Sequence, residues 1–128
     1  MTESTEPQVW IVDDEEAVRD SLAILLGCDG FGVRSFARGE AFLAVAHELD
    51  GCLLLDLRMP EMDGFEVMEA LKERDIRIPI VVVTGHGDAL LERRALDAGA
   101  HAMLDKPLAE ETLLTAIRSA LGIDQASA

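Results

Sequence analysis

Basic residues are scarce in this chain: 11 Lys and Arg stand against 25 Asp and Glu, a net charge of −14 over 128 residues. Nucleic acid is gripped through a basic footprint, so the charge argues against direct nucleic-acid binding. A bound cation or a basic partner surface suits such a chain better. No run of about 18 apolar residues is available to cross a bilayer, and no charged-then-apolar leader is seen, so no membrane role is expected and the expected compartment is the cytosol. Cysteine occurs only at Cys28 and Cys52. Two thiols make no zinc site, and nothing in the sequence sets the distance for a bridge; two small hydrophobes in a reducing compartment is the simpler reading. Tyrosine is absent, and the four Phe lie at 31, 36, 42 and 65. His47 and His101 have no partners at ligand spacing. No internal repeat is found.

What is present is an alternation. Apolar residues make up 49% of the chain and mean hydropathy is +0.18, enough for one compact core. Residues 1–7 and 122–128 read as tails around a single domain over 8–121. Short runs rich in Val, Ile and Leu recur at Val9–Val12, Val33–Phe36, Cys52–Leu55, Ile80–Val83 and Ala102–Leu104. Apolar without alternating, they suit strands buried on both faces of a parallel sheet. Between them Val18, Leu22, Leu25 and Leu26 keep helical spacing, as do Val67, Met68 and Leu71, and again Leu113, Leu114, Ile117 and Leu121. A weaker helical pattern spans Glu40 to Glu48. Asp88 reads as the N-cap of a helix running to about Ala98, with Gly99 as its stop. Five βα units with short, right-handed connections give an α/β fold, a doubly wound five-stranded parallel sheet.

The chemistry collects where strands end. The run Leu53-Leu54-Leu55-Asp56 stops on a carboxylate, and Pro60 and Gly64 force a loop before the next helix. A carboxylate there points into the crevice where open α/β sheets hold ligands. Left unpaired it is costly, so it wants a cation. Asp13 and Asp14, which end Val9–Val12, supply the rest of an oxygen-rich pocket. At ~4 Å and an effective dielectric of ~20, each like-charge pair costs about 4 kcal/mol, which Mg²⁺, a hard cation that prefers oxygen, removes. The alternative is that Asp13 and Asp14 cap a helix starting near Glu15. Thr84 closes the fourth strand pattern, and Lys106 closes the fifth before Pro107. A hydroxyl and a fixed ammonium suit the spread charge of a transferring phosphoryl group, although either alone has an ordinary solvated reading.

These residues in this order resemble the response-regulator receiver domains of two-component signalling, over nearly all of Val9 to Leu121. Asp13-Asp14-Glu15-Glu16, Asp56-Leu57-Arg58-Met59-Pro60 and Thr84-Gly85-His86-Gly87-Asp88 resemble in particular receivers of the FixJ type, found in nitrogen-fixation regulators. The resemblance implies a flavodoxin-like order that sets the first and third strands side by side. It implies that Asp56 accepts a phosphoryl group from a phosphohistidine on a sensor histidine kinase. Mg²⁺ is then held by Asp14, Asp56 and the main-chain carbonyl of Arg58, with Asp13 acting through water. Lys106 and Thr84 hold phosphoryl oxygens, and Lys106 can pair with Asp56 beforehand. Lys106–Pro107 is expected cis, and Arg58 and His86 flank the path of the water that ends the signal. His86 by itself reads as a solvated loop residue.

The domain so read is not an enzyme but a phosphoacceptor, charged also by small donors and discharging itself. It switches partner binding or homodimer formation through the 88–121 face. Receivers commonly carry Phe or Tyr where this chain has Met103, which makes Met103 the residue to follow in the switch. FixJ-type regulators also carry a DNA-binding domain; whether this receiver stands alone or belongs to a longer regulator stays open. Two further readings remain: a phosphorylation-independent interaction module, and a Mg²⁺-dependent aspartyl-phosphate phosphatase of the haloacid-dehalogenase kind. The latter needs a second Asp two residues beyond the nucleophile, and Arg58 stands there.

Overall fold

The short apolar runs become strands because each is bounded by residues that break extended pairing, and the stretches between them become helices that cover the faces. A computed structural model describes residues 7–46 and 50–122. His47, the Glu48 end of the second helical pattern and most of both tails lie outside them. The order is β1 (Gln8–Val12), α1 (Glu16–Cys28), β2 (Gly32–Phe36), α2 (Gly39–Leu43), β3 (Cys52–Asp56), α3 (Gly64–Glu73), β4 (Ile80–Thr84), α4 (Ala89–Asp97), β5 (Ala102–Asp105) and α5 (Glu110–Leu121). All pairings are parallel and the sheet runs β2-β1-β3-β4-β5. This is the flavodoxin-like doubly wound sheet.

Alternation along the strands divides the core in two. Val9 and Ile11 of β1 join Leu54, Val81 and Val83 under α1 and α5, against Leu22, Leu26, Leu113 and Ile117. Trp10 and Val12 face the other way, with Leu53, Leu55 and Val82, under α2, α3 and α4. β3 and β4 are buried along their whole length, and β1 is buried beyond Gln8. The outer strands depart from the expected burial on both faces. β2 exposes Arg34 and Ser35, and β5 is half-buried and ends exposed at Asp105. Each has one neighbouring strand only, so apolar composition there does not mean full enclosure. Arg34 partly shields its edge, its guanidinium 5.5 Å from the Trp10 ring and 5.4 Å from Phe36.

The expected stops are present. The Asp88 carboxylate accepts from the Leu91 N–H at 2.8 Å, and Gly99 takes a left-handed φ of +114°. Asp63 and Glu66 form a capping box on α3. α2 is shorter than its pattern, ending at Leu43 in a turn where Val45 N–H bonds Phe42 C=O at 3.0 Å. Pro7, placed in the tail by composition, accepts a hydrogen bond from Gly32 N–H at 2.9 Å. α1 has Glu15 at its N-cap and no side-chain cap bond, so the capping alternative for Asp13 and Asp14 is not realised. Asp13 instead accepts the N–H of Glu15, the residue before the helix, at 2.9 Å.

The reversal of strand order falls between β1 and β3. Val12 is registered with Leu55, so the residues that follow, Asp13 and Asp56, emerge together at the carboxyl edge. Gly64 makes this edge possible. A Cβ there would lie 2.8 Å from the Asp56 carbonyl oxygen and 2.9 Å from Leu57 Cα, both backbone atoms. Gly64→Ala is therefore expected to lower stability by about 1–3 kcal/mol through overpacking. Gly85→Ala, with open space around its Cβ, should change it by less than about 0.5 kcal/mol. Denaturant midpoints of the two variants check the contrast; equal midpoints would contradict it.

Candidate functional site

Three strand ends use one local device. Asp13 Oδ1 accepts from Glu15 N–H at 2.9 Å, Asp56 Oδ1 from Arg58 N–H at 3.4 Å, and Thr84 Oγ1 from His86 N–H at 3.4 Å. Short polar side chains bonded two residues on turn the chain out of the sheet and hold their oxygens at the rim. Oxygens of Asp13, Asp14 and Asp56 come within 4.8 Å of one another. Asp13 is 1% exposed, Asp56 4% and Thr84 0%, whereas Asp14 opens to solvent.

Lys106, just past β5, lies across two of the acids. Its ammonium donates to Asp13 Oδ2 at 3.1 Å and sits 3.6 Å from Asp56 Oδ1. The expected Lys106–Asp56 pair is present, and Asp13 is a second and closer partner. The Lys106–Pro107 bond is cis, and Lys106 N–H bonds the Thr84 carbonyl at 2.8 Å. Burial pushes the Asp56 carboxyl up from its ordinary 3.8 to about 6; the Asp13 charge adds to this, and Lys106 works against it. Burial alone lowers an ammonium, but the hydrogen bond with Asp13 and the charges of Asp56 and Asp13 outweigh it, so Lys106 is raised.

Arg58 and His86 are exposed at the rim. Met103 is half-buried, its methyl 2.9 Å from where a side chain on Gly87 would begin. His101 bonds Ser119 Oγ at 3.0 Å on the outer side of α5, away from the acids. Cys28 and Cys52 are both free, and burial pushes the Cys52 thiol up to about 12, where it is an inert hydrophobe.

Two features escaped the sequence reading. Arg19 reaches back from α1 to donate to the Asp13 carbonyl at 2.8 Å. An i, i+6 pair across a strand–helix turn belongs to no regular period, so only its charge was visible. An apolar groove of about 550 Å³ lies beside Lys106 and Pro107, floored by Val18, Leu22, Leu25 and Leu113. Its α1 and α5 positions were legible as helix faces, but not as a surface left open.

A carboxylate at the centre of such a pocket, with an ammonium and a hydroxyl at its rim, can hold a hard divalent cation and stabilise an oxyanion. The whole arrangement is that of a receiver, and the sequence comparison agrees: residues 9–118 match the response regulator receiver domain, and the chain belongs to that family, the signalling module of two-component systems. Among particular relatives it is 44% identical to the transcriptional regulatory protein FixJ of Rhizobium meliloti, over 91% of this chain and 57% of FixJ. It is likewise 44% identical to the response regulator protein TmoT of Ectopseudomonas mendocina, over 91% of this chain and 53% of TmoT. It thus spans a little over half the length of these curated relatives. Its fold superposes on the FixJ amino-terminal domain with a TM-score of 0.86 at 42% identity, covering 93% and 96% of the two chains. On the Vibrio cholerae chemotaxis protein CheY4 the TM-score is 0.84 at 28% identity, covering 91% and 100%. Among the described residues, no helix is long and apolar enough to cross a membrane.

The raised Asp56 pKa has a stability consequence whose sign is fixed. A carboxyl that holds its proton more tightly folded than unfolded costs stability when ionised. The cost grows as pH rises from about 4 through about 6 and is complete above that. In metal-free buffer at pH 8, Asp56→Asn should be more stable than the parent by roughly 2–3 kcal/mol, from a rise of about two pKa units. Toward pH 4 the two should converge. Urea unfolding at both pH values tests this; a constant difference would count against it.

Proposed function

We propose that Asp56 is the phosphoacceptor of a receiver occupying residues 8–121, taking its phosphoryl group from a phosphohistidine of a sensor histidine kinase. The observation that carries this is the buried Asp56 carboxylate at the end of β3, with Asp13, Asp14, Thr84 and Lys106 around it at the ends of β1, β4 and β5. Its donor set, three carboxylates with converging oxygens, fits Mg²⁺. Asp14, Asp56 and the Arg58 carbonyl would hold the ion, with Asp13 through water. Bound there, it neutralises charge developing on the transferred group.

The chain's own residues account for the rest. An Asp56 oxygen forms the new bond to phosphorus as the phosphorus–imidazole bond breaks, and the donor imidazole leaves. Burial keeps competing water few around that carboxylate. Lys106 leaves Asp13 and Asp56 to donate to a phosphoryl oxygen, and the Thr84 hydroxyl turns from accepting the His86 N–H to donating to another. We assign the apolar groove beside Lys106 and Pro107 as the seat for a kinase helix. The acyl phosphate later yields to water, whose approach runs between Arg58 and His86 at the rim. With Mg²⁺ bound, small donors can also charge Asp56 and water discharges it, so the domain is a switch and not an enzyme on an external substrate, with the cytoplasm as its proposed compartment. Arg58 in place of a second Asp argues against the phosphatase reading. Mass spectrometry after acetyl phosphate and Mg²⁺ should find one phosphoryl adduct on the parent and none on Asp56→Asn. An undiminished adduct on that variant would sink the assignment.

The output is a change on the 88–121 face that alters partner binding or homodimer formation. Thr84 moving toward the phosphoryl group vacates space beside Gly87, which Met103 from β5 is placed to fill. Met follows such a movement easily but specifies each state less sharply than an aromatic ring. Met103→Phe should therefore enlarge, and Met103→Ala diminish, the change in sedimentation produced by beryllofluoride, a mimic of the aspartyl phosphate. Identical shifts in all three proteins would remove residue 103 from the switch.

A further inference from the structure

Asp13 has every polar atom engaged. Its N–H bonds the Phe36 carbonyl at 3.1 Å, Oδ1 takes the Glu15 N–H, Oδ2 takes Lys106, and its carbonyl takes Arg19 Nη1 at 2.8 Å. The first three hold Asp13 itself. The fourth acts one residue further on, because the Asp13 carbonyl belongs to the peptide plane that leads into Asp14. Among the described residues no hydrogen bond fixes the Asp14 carboxylate, which is also the exposed member of the three. That peptide plane fixes where the Asp14 N and Cα sit and so limits the directions its side chain can take.

We infer that Arg19 is a positioning residue for the cation pocket: by anchoring the Asp13 carbonyl from α1, it aims the Asp14 carboxylate at Asp56. This rests on the reading of the three acids as a cation site. Arg19 is half-buried, one turn into α1, and its main-chain N–H bonds the Glu15 carbonyl at 3.1 Å. The stem that carries the guanidinium is thus fixed by the same turn that it stabilises. Groups that orient metal ligands without touching the metal commonly shift affinity 10- to 100-fold.

Charge and positioning act on cation affinity with opposite signs. A guanidinium beside the pocket repels a cation, so by charge alone its removal raises cation affinity. By positioning, removal lowers it. Calorimetric titration with MgCl₂, in the absence of any phosphodonor, separates the two. Arg19→Met keeps the apolar stem but loses donor and charge; it should bind Mg²⁺ about tenfold more weakly than the parent. Arg19→Lys, which restores a donor and the charge, should recover part of that loss. Thermal unfolding in EDTA should remain close to that of the parent, while the rise in Tm produced by Mg²⁺ should shrink. Arg19→Ala is read by the same criterion should Arg19→Met fail to fold. Parent-like or tighter binding in the folded variant, or a loss that Arg19→Lys leaves untouched, overturns the inference. Asp14→Ala distinguishes the levels. If it loses Mg²⁺ while Arg19→Met does not, only the positioning role falls. If Asp14→Ala binds as the parent does, the cation site itself has been misread.

Discussion

The structure turns on a repulsion that it cannot escape. Asp13 and Asp56 emerge side by side because Val12 and Leu55 are paired in register at the reversal of strand order. Both are almost fully removed from solvent, so neither can be screened by water. Lys106 is the local answer, but it comes from the far edge of the sheet: β5 is separated from β1 by β3 and β4. Its ammonium reaches Asp13 only if all the intervening strands keep their order and spacing. The acid pair therefore makes the arrangement of the whole sheet a condition of its own stability. The raised pKa of Asp56 comes first from burial and then from the Asp13 charge, with Lys106 offsetting part of both.

The rest of the fold absorbs this cost unevenly. The two faces of β1, β3 and β4 carry most of the buried apolar surface, under α1 and α5 on one side and α2 and α3 on the other. α4 is the thin place. Ala95 is its one fully buried residue, and Leu90 stands 72% exposed. It is held by its Asp88 cap and by Arg94, whose guanidinium lies 4.2 Å from the Phe65 ring on α3. A helix with so little buried surface belongs to the low-stability end of a structure, where shifts between states are cheapest. It also begins five residues after Thr84, beyond the loop containing Gly87. The part of the molecule best placed to feel a change at the acids is the part least committed to one position.

What could be read from the sequence followed from periodicity and strand ends. All five strands, the Asp88 cap and the Gly99 stop are local features, so the residues themselves announced them. The gathering of Asp13, Asp14, Asp56, Thr84 and Lys106 was legible only because each ends a strand and doubly wound sheets bring such ends to one edge. Side-chain direction was not legible. Lys106 leans on Asp13 more closely than on Asp56, and Arg19 bonds a carbonyl six residues back. The shared turn at Asp13, Asp56 and Thr84 likewise depends on backbone geometry that no spacing encodes. Edge exposure of β2 and β5 escaped for a different reason. Composition reports how apolar a strand is, not how many neighbours it has.

The charge balance of the pocket also says what kind of ligand completes it. Asp13, Asp14 and Asp56 bring three negative charges and Lys106 one positive, which leaves two uncompensated. A monovalent cation would leave one of them standing, and a trivalent one would invert the site. A divalent cation brings it to neutrality. It would also favour the ionised form of Asp56 and draw its pKa back below about 6, because an adjacent positive charge opposes the effect of burial. That matters for chemistry, since only the ionised carboxylate is a nucleophile. A bound cation would thus enlarge the ionised fraction of Asp56 near pH 6. On the proposed reading, the excess of carboxylate that burdens the fold would couple the reactivity of Asp56 to the cation.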